Sequence, residues 1–191
     1  MKWLFSNLEG LLGFSEQRDE EVAIVLQGST LLRNYRITQA LLDYFELRYE
    51  EKYCETFGLH VNNMLIENMY TIYWFVGRLT RTLPESNTMD ALQVHYDLDR
   101  FHSIENALDC SNSIPVNNLL AQLESEIVNS TTYYLSNFVS LTIADLCLYF
   151  LLSREEIKEE IHNYEDLEAY SQNVEFIFSF NHISIEKPKE I

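Results

Sequence analysis

Glycine, proline and cysteine are all scarce in this chain, with five, three and three residues among 191. Few glycines and prolines favour long helices with few tight turns over a fold of many short strands. The cysteines, Cys54, Cys110 and Cys147, are odd in number and far apart, and no CxxC pair occurs. The sequence therefore predicts neither a disulfide framework nor a cysteine-based zinc or redox site, and it favours a reducing compartment.

Positive charge is scarce as well, since 13 lysines and arginines face 30 aspartates and glutamates, a formal net charge of −17. Such a field repels phosphate backbones and anionic lipid headgroups, which disfavours direct binding to nucleic acid or to a membrane surface. No apolar run reaches the roughly 18 residues of a membrane-spanning helix. Asn7 and Glu9 interrupt the apolar opening, which we interpret as part of the fold and not as a signal peptide. We expect a cytoplasmic protein, with the nucleus as a second location.

Apolar residues are abundant, at 47% of the chain, with 11 Phe and 12 Tyr, so a substantial core is expected. Leu8, Leu11 and Leu12 have helical spacing near the start. The segment "EVAIVLQGSTLL" predicts two short strands on either side of a Gly-Ser break, and "RITQALLDYFELRY" returns to helical spacing. These patterns predict a small α/β unit over residues 1–52.

From Val61 onward the apolar residues follow a helical period, most clearly in "VNNMLIENMYTIYWFVGRL" and "NNLLAQLESEIV". Residues 80–88 and 109–115 contain turn-forming residues and are interpreted as loops. We predict a helical unit over residues 60–180. The remaining residues, 181–191, are predicted to form an extended or disordered tail.

The stretch "SLTIADLCLYFLL" places Asp145 at the start of an apolar helix. With Thr142 as N-cap, Asp145 is the third helical residue, and Thr-x-x-Asp is a capping box that satisfies free backbone N–H groups. A carboxylate there also faces the positive end of the helix dipole. Leu141 and Leu146 occupy the two positions of a hydrophobic staple. No second titratable group lies nearby, so we predict a structural role and not a catalytic or metal-binding one.

These residues, with the helix "LLAQLESEI" before them and "YEDLEAYSQNV" after them, resemble the C-terminal domain of the glutathione transferase fold. In that family the buried helix opens with the same capping box and staple. The resemblance implies a mostly α protein with a small α/β N-terminal unit, a truncated thioredoxin-like domain followed by an all-helical domain. A capping box is a folding determinant, so it indicates a fold and not an activity.

The same resemblance implies which residues glutathione chemistry requires. Family members carry a Tyr, Ser or Cys near the end of the first strand, a cis-proline before the third strand, and a Glu-Ser or Gln-Ser pair. The first proline here is Pro84, and cis peptide bonds are essentially restricted to proline. The segment 22–45 resembles the third and fourth strands and the helix that follows them, which places Asn34-Tyr35 where the pair belongs. We therefore expect no enzymatic activity and no cofactor.

The start, "FSNLEGLLGFSEQRDEEVAIVLQGSTLL", and the helix "TIADLCLYFLLSREEI" resemble the auxiliary scaffolds of the multi-aminoacyl-tRNA-synthetase complex, of the elongation factor one epsilon type. This implies an adaptor that docks onto glutathione-transferase-like domains of aminoacyl-tRNA synthetases, such as the methionyl and glutamyl-prolyl enzymes, or of elongation-factor subunits. It also implies partner binding by Arg154, although a basic residue there equally complements the negative end of a helix. The alternatives are an atypical glutathione-dependent transferase and a metaxin-like scaffold of the same fold.

The spacing of His95, Asp99 and His102 puts them on one face of a predicted helix. Histidine and carboxylate side chains in such an arrangement can bind zinc. The surrounding residues are strongly polar, so we expect a solvated helix face and no metal site.

Overall fold

The computed structural model describes residues 22–62, 64–85, 88–109, 116–130, 134–135, 138 and 140–183. The helix predicted around Leu8 lies outside the described residues, and so does Cys110. Most of the predicted tail lies outside them too, although the last helix extends to Ile183.

A four-stranded sheet forms the N-terminal unit, with the strands β1 Ile24–Gly28, β2 Glu50–Tyr53, β3 Gly58–Val61 and β4 Met64–Ile66. The spatial order is β2-β1-β3-β4. Strand β1 pairs parallel with β2 and antiparallel with β3, which pairs antiparallel with β4. The helix α1, Arg33–Tyr44, provides the crossover that parallel strands require. The unit is therefore a βαβ motif followed by a β-hairpin.

Two predictions about this unit are wrong. The segment 22–32 contains one strand and not two, because β1 ends at Gly28 and a loop then leads into α1. The segment after Val61 is a hairpin and not the start of a helix, so the sheet extends beyond residue 52. Asn62 adopts a φ of +53° at the hairpin turn, a conformation that asparagine tolerates. The spacing of Val61, Leu65 and Met69 fits a helix, but the pairing of β3 with β1 decides the outcome.

The connection from β2 to β3 is only four residues long, 54–57, and passes the end of β1. The backbone N–H of Cys54 donates to the carbonyl of Gly28 at 3.2 Å. Gly28 has a φ of +144°, and a Cβ there would lie 2.9 Å from a ring carbon of Tyr35 and 3.4 Å from the Cα of Phe57. Glycine is therefore required, because both the backbone conformation and the close approach exclude a side chain.

The helical part contains, within the described residues, α2 Met69–Leu79, α3 Met89–Asp109, α4 Val116–Val128, α5 Ile143–Leu152, α6 Glu155–Lys158, a 3₁₀ turn Ile161–Asn163, and α7 Glu165–Ile183. Helix α5 packs against α2, α3 and α7, and nearly all its side chains are buried. A helix that is apolar on every side belongs at the centre of a core. Helix α1 contacts α2 and α7, so the sheet unit and the helices share one core.

The architecture confirms the predicted fold class, a small α/β unit followed by a mostly helical part. Within the described ranges, no helix combines the length and apolarity needed to cross a membrane.

Candidate functional site

Asp145 is fully buried at the start of α5, where it forms a capping box with the N-cap Thr142. Its Oδ2 accepts hydrogen bonds from the backbone N–H of Thr142 at 2.8 Å and from the Thr142 hydroxyl at 2.7 Å. Its Oδ1 accepts from the backbone N–H of Leu135 at 2.9 Å and from the hydroxyl of Tyr170 at 2.7 Å. One carboxylate therefore joins the helix start to the preceding loop and to α7.

The electrostatics of Asp145 fit a structural role. Burial raises the pKa of its carboxyl, while the hydrogen bonds from Leu135, Tyr170 and Thr142 act in the opposite direction. Burial and the adjacent Asp145 raise the pKa of Tyr170 well above its usual value. Four donors occupy the roughly four lone-pair sites of a carboxylate, and no surface is exposed. A substrate can therefore neither reach this group nor give it a proton.

The residues around Asp145 belong to the core. Leu146 is completely buried, and Leu141, the other staple position, packs partly buried against the same cluster. Cys147 is also buried, and burial raises the pKa of its thiol well above the usual value. A nucleophilic cysteine needs accessible thiolate, so Cys147 acts as a small apolar residue.

Arg154 lies between α5 and α6, at the N-cap position of α6. Its side chain is only 9% exposed and forms ion pairs with Asp109 at 2.8 Å and with Glu156 at 3.1 Å. Those two carboxylates are 62% and 56% exposed, so water competes for both pairs. The role of Arg154 toward a partner stays a prediction.

Arg154 also lines a cleft of about 610 Å³ between α1 and the α5–α6 junction. Arg33 and Arg36 reach this cleft from α1. Arg33 donates to the backbone carbonyl of Phe150 at 2.6 Å and forms an ion pair with Glu105 of α3. Sequence reasoning missed this cluster, because only the docking of α1 against α5 brings together residues so far apart in the chain.

The end of β1 is where the family resemblance places a Tyr, Ser or Cys, and Ser29 follows the strand there. Its Oγ accepts from the backbone N–H of Leu31 at 3.3 Å. Phe57 occupies the position before β3 that the family gives to a cis-proline. No cis peptide bond occurs among the residues that the structure describes.

The prediction that Asn34-Tyr35 occupies the position of the family's acid–serine pair is wrong. Asn34 and Tyr35 lie inside α1, because β1 is followed by that helix and not by a hairpin. The helix after β4 begins at Met69, so Glu67 and Asn68 occupy the two positions before it. Asn68 is its N-cap, and its side chain accepts from the backbone N–H of Thr71 at 3.1 Å. An acid and an amide therefore stand where the family has Glu-Ser or Gln-Ser.

His95 and His102 lie half-buried beside α2, whereas Asp99 is exposed, so the expectation of a solvated helix face holds for Asp99 only. The indole N–H of Trp74 donates to His95 Nε2 at 3.3 Å. The side-chain nitrogen of Asn68, the N-cap of α2, lies 3.3 Å from His102 Nε2. In the part of the chain that the structure describes, no group of three histidine, cysteine or acidic residues could hold a metal ion.

A second cavity, of about 740 Å³, lies between α3, the end of α4 and α7. Its lining includes Tyr96, the buried Asp97 and Tyr170. An ion pair between Arg100 and Glu126, at 2.7 Å, crosses from α3 to α4 beside it. None of its lining residues belongs to the arginine-lined cleft between α1 and the α5–α6 junction, so the two sites are separate.

The fold of this chain is similar to the solved structures of glutathione S-transferases. A glutathione S-transferase from Ascaris lumbricoides matches with a TM-score of 0.65 and 16% identity, covering 88% of this chain and 98% of that one. A Nu-class enzyme from Haemonchus contortus matches at 0.69 and 13%, covering 89% and 100%. Prostaglandin synthase D of Nilaparvata lugens matches at 0.67 and 15%, covering 87% and 99%. No family model and no curated protein sequence matches.

The chain therefore has the glutathione S-transferase-like fold. The expectation that it is not an enzyme is contradicted, because the proteins that share the fold are, by name, mostly glutathione S-transferases. The expectation of no enzymatic activity depended partly on the position of the acid–serine pair, which lies before α2 and not in α1. These matches do not support the finer resemblance to synthetase-complex scaffolds.

Proposed function

We propose that this chain is a docking module that binds glutathione-transferase-like domains of other proteins, with aminoacyl-tRNA synthetases as the first candidates. The shared fold supports the proposal, and so does the resemblance of the start and of the α5 segment to synthetase-complex scaffolds. The observation that carries it is an apolar stripe on α3 that the rest of the described chain leaves exposed.

The stripe consists of Met89, Leu92 and Tyr96, whose exposed fractions are 79%, 61% and 62%. Spacings of three and four residues place their side chains on one face of the helix. The opposite face carries Val94 and Leu98, both fully buried. The core therefore contacts that face of α3, and the exposed stripe is a separate apolar face. A second apolar face on a folded domain is typical of a surface that contacts another protein.

Charge adds a second constraint on the partner. The chain carries a net charge of −17, so a docked surface that is basic around an apolar centre would be favoured. Such complementarity accelerates association and discourages pairing between two copies of an acidic chain. Arg154 is the residue that the family resemblance assigns to an acidic group of the partner.

Titration with the isolated glutathione-transferase-like domains of methionyl- and glutamyl-prolyl-tRNA synthetase tests the proposal. Leu92→Glu should weaken binding at least about tenfold, or about 1.4 kcal/mol, because it places an unpaired charge at the centre of an apolar contact. Phe176→Glu is the matched control, since Phe176 is 66% exposed on α7. If neither domain binds, or if both variants bind like the parent chain, this function is wrong.

A second candidate function is glutathione binding, favoured by Glu67 and Asn68 at the start of α2. An acid and an amide at this position offer acceptors to an ammonium group and donors to a carboxylate. Phe57 in place of a cis-proline removes one expected backbone contact. Calorimetry with reduced glutathione tests this candidate, with Glu67→Gln expected to reduce any binding and Glu85→Gln as a control. If calorimetry of the parent chain with reduced glutathione gives no binding heat, this candidate function is wrong.

A further inference from the structure

We propose that the cleft lined by Arg33, Arg36 and Arg154 is a binding site for a carboxylate group. The carboxylate belongs either to a free small molecule or to an acidic side chain of a bound polypeptide. A volume of about 610 Å³ lies within the range of small-molecule sites. The site shares Arg154 with the proposed docking function, so its polypeptide form rests on that function, whereas its small-molecule form does not. Arg36→Gln tests the cleft and Leu92→Glu tests the α3 stripe, so the failure of one proposal is distinguishable from the failure of the other.

The concentration of positive charge in this cleft is unusual for so acidic a chain. Three of the eight arginines line it, although they come from α1 and from the α5–α6 junction. Glu155 and Glu156 also line it, and Glu105 and Asp109 pair with Arg33 and Arg154 from beside it. Among the described residues, Arg36 is therefore the lining arginine that is left to pair with an anionic group of a ligand.

The three arginines differ in what they can offer. Arg33 forms an ion pair with Glu105, whose side chain is 10% exposed, and donates to the carbonyl of Phe150. These contacts fix its side chain at one side of the cleft. Arg154 is paired with two exposed carboxylates that a ligand can displace. Arg36 is exposed, and none of the ion pairs among the described residues involves it. Arg36 therefore presents a guanidinium that no described carboxylate pairs with, and Arg154 supplies an exchangeable one.

The surroundings favour a carboxylate over a phosphate. The C-terminal end of α5 directs its negative dipole toward this region, and Glu155 and Glu156 repel each additional negative charge. A phosphate carries close to two charges, whereas a carboxylate carries one. A planar carboxylate also matches the fork of a guanidinium with two parallel hydrogen bonds. Phe150 and Ile37 line the same cleft and can contact the carbon skeleton of the ligand.

The test titrates the full chain with benzoate and benzamide at constant ionic strength, followed by NMR of the arginine side-chain N–H groups. A second arm uses the peptides acetyl-Ala-Ala-Glu-Ala-Ala-amide and its glutamine counterpart. Benzoate, the glutamate peptide or both should bind saturably, and at least about tenfold more tightly than the uncharged probe. Preference for benzoate indicates a free small molecule, and preference for the peptide indicates a polypeptide side chain.

The variant Arg36→Gln should reduce this affinity at least about fivefold, because it removes one charge-assisted hydrogen-bonding group. Its fold should be unaffected, since Arg36 is exposed. Arg81→Gln, also exposed but not part of the cleft, is the matched control. Equal binding of acid and amide probes, no saturable binding of either acid, or an unchanged affinity in Arg36→Gln would each overturn the proposal. Tighter binding of inorganic phosphate than of benzoate would overturn it too.

Discussion

Replacing Asp145 by asparagine exchanges a single heavy atom, one carboxylate oxygen for an amide nitrogen, and should still destabilise the protein strongly. The carboxylate accepts four hydrogen bonds, two at each oxygen, in a site with no exposed surface. An asparagine has one acceptor oxygen and directs an NH₂ group toward the other two donors. The hydroxyls of Thr142 and Tyr170 can rotate to accept instead, but a backbone N–H, of Leu135 or of Thr142, cannot. At least one buried donor is therefore left without a partner.

The magnitude follows from these contacts. An unsatisfied buried donor costs about 1–3 kcal/mol, and hydrogen bonds to a neutral amide are weaker than those to a carboxylate. Relief from burying a charge offsets part of this, since burial raises the pKa of Asp145. We expect a net loss of about 2–5 kcal/mol in the free energy of unfolding. Thr142→Ala removes the hydroxyl and the buried γ-methyl group and should cost about 1–2 kcal/mol.

Urea unfolding followed by circular dichroism measures these differences, and an unchanged slope shows that both variants unfold as the parent does. Asp90→Asn is the matched control, because Asp90 is exposed in the first turn of α3 and should change stability by less than about 1 kcal/mol. A loss below about 1 kcal/mol for Asp145→Asn, at equal slope, would refute the argument that the four acceptor positions are essential.

Three further predictions follow from the same structure. Gly28→Ala should lower the unfolding free energy by about 2–4 kcal/mol, because φ is +144° and Tyr35 and Phe57 leave no space, whereas Ser29→Ala should cost far less. Burial raises the pKa of Tyr70 to about 12, so the folded state holds this proton more tightly than the unfolded chain does. The contribution of Tyr70 to stability should be constant below pH 10 and be lost as the pH rises from 10 through 12. Phenolate absorbance and helical circular dichroism are the readouts, and complete phenolate formation near pH 10 in the folded protein is the contrary result. Arg154→Gln should weaken binding to a synthetase domain several-fold, and unchanged affinity in the titration would remove Arg154 from the interface.

Sequence patterns over a few residues identified the capping box of α5, because its contacts join residues that are close together in the chain. The capping box joins residues three apart, so Thr142 and Asp145 could be recognised in the sequence, and the resemblance they carry led to the fold class. Two of the four donors to Asp145 come from Leu135 and Tyr170, which no spacing rule connects. The hairpin at Asn62 was missed because its apolar residues also fit a helical period. The prediction of two strands in the segment 22–32 placed the acid–serine pair at Asn34 and Tyr35, and the missed hairpin hid Glu67 and Asn68.

The amino-acid sequence by itself determined the fold class, the buried helix α5 and its cap, because these depend on composition and on residues a few positions apart. The tertiary structure alone decided the sheet order, the requirement for glycine at position 28 and the convergence of Arg33, Arg36 and Arg154. Each of these depends on contacts between segments distant in the chain, whose distances are set by the packing of whole elements. Asp145 belongs to both: its position was readable as a cap, and its four-fold hydrogen bonding exists only once α7 and the preceding loop have packed against α5.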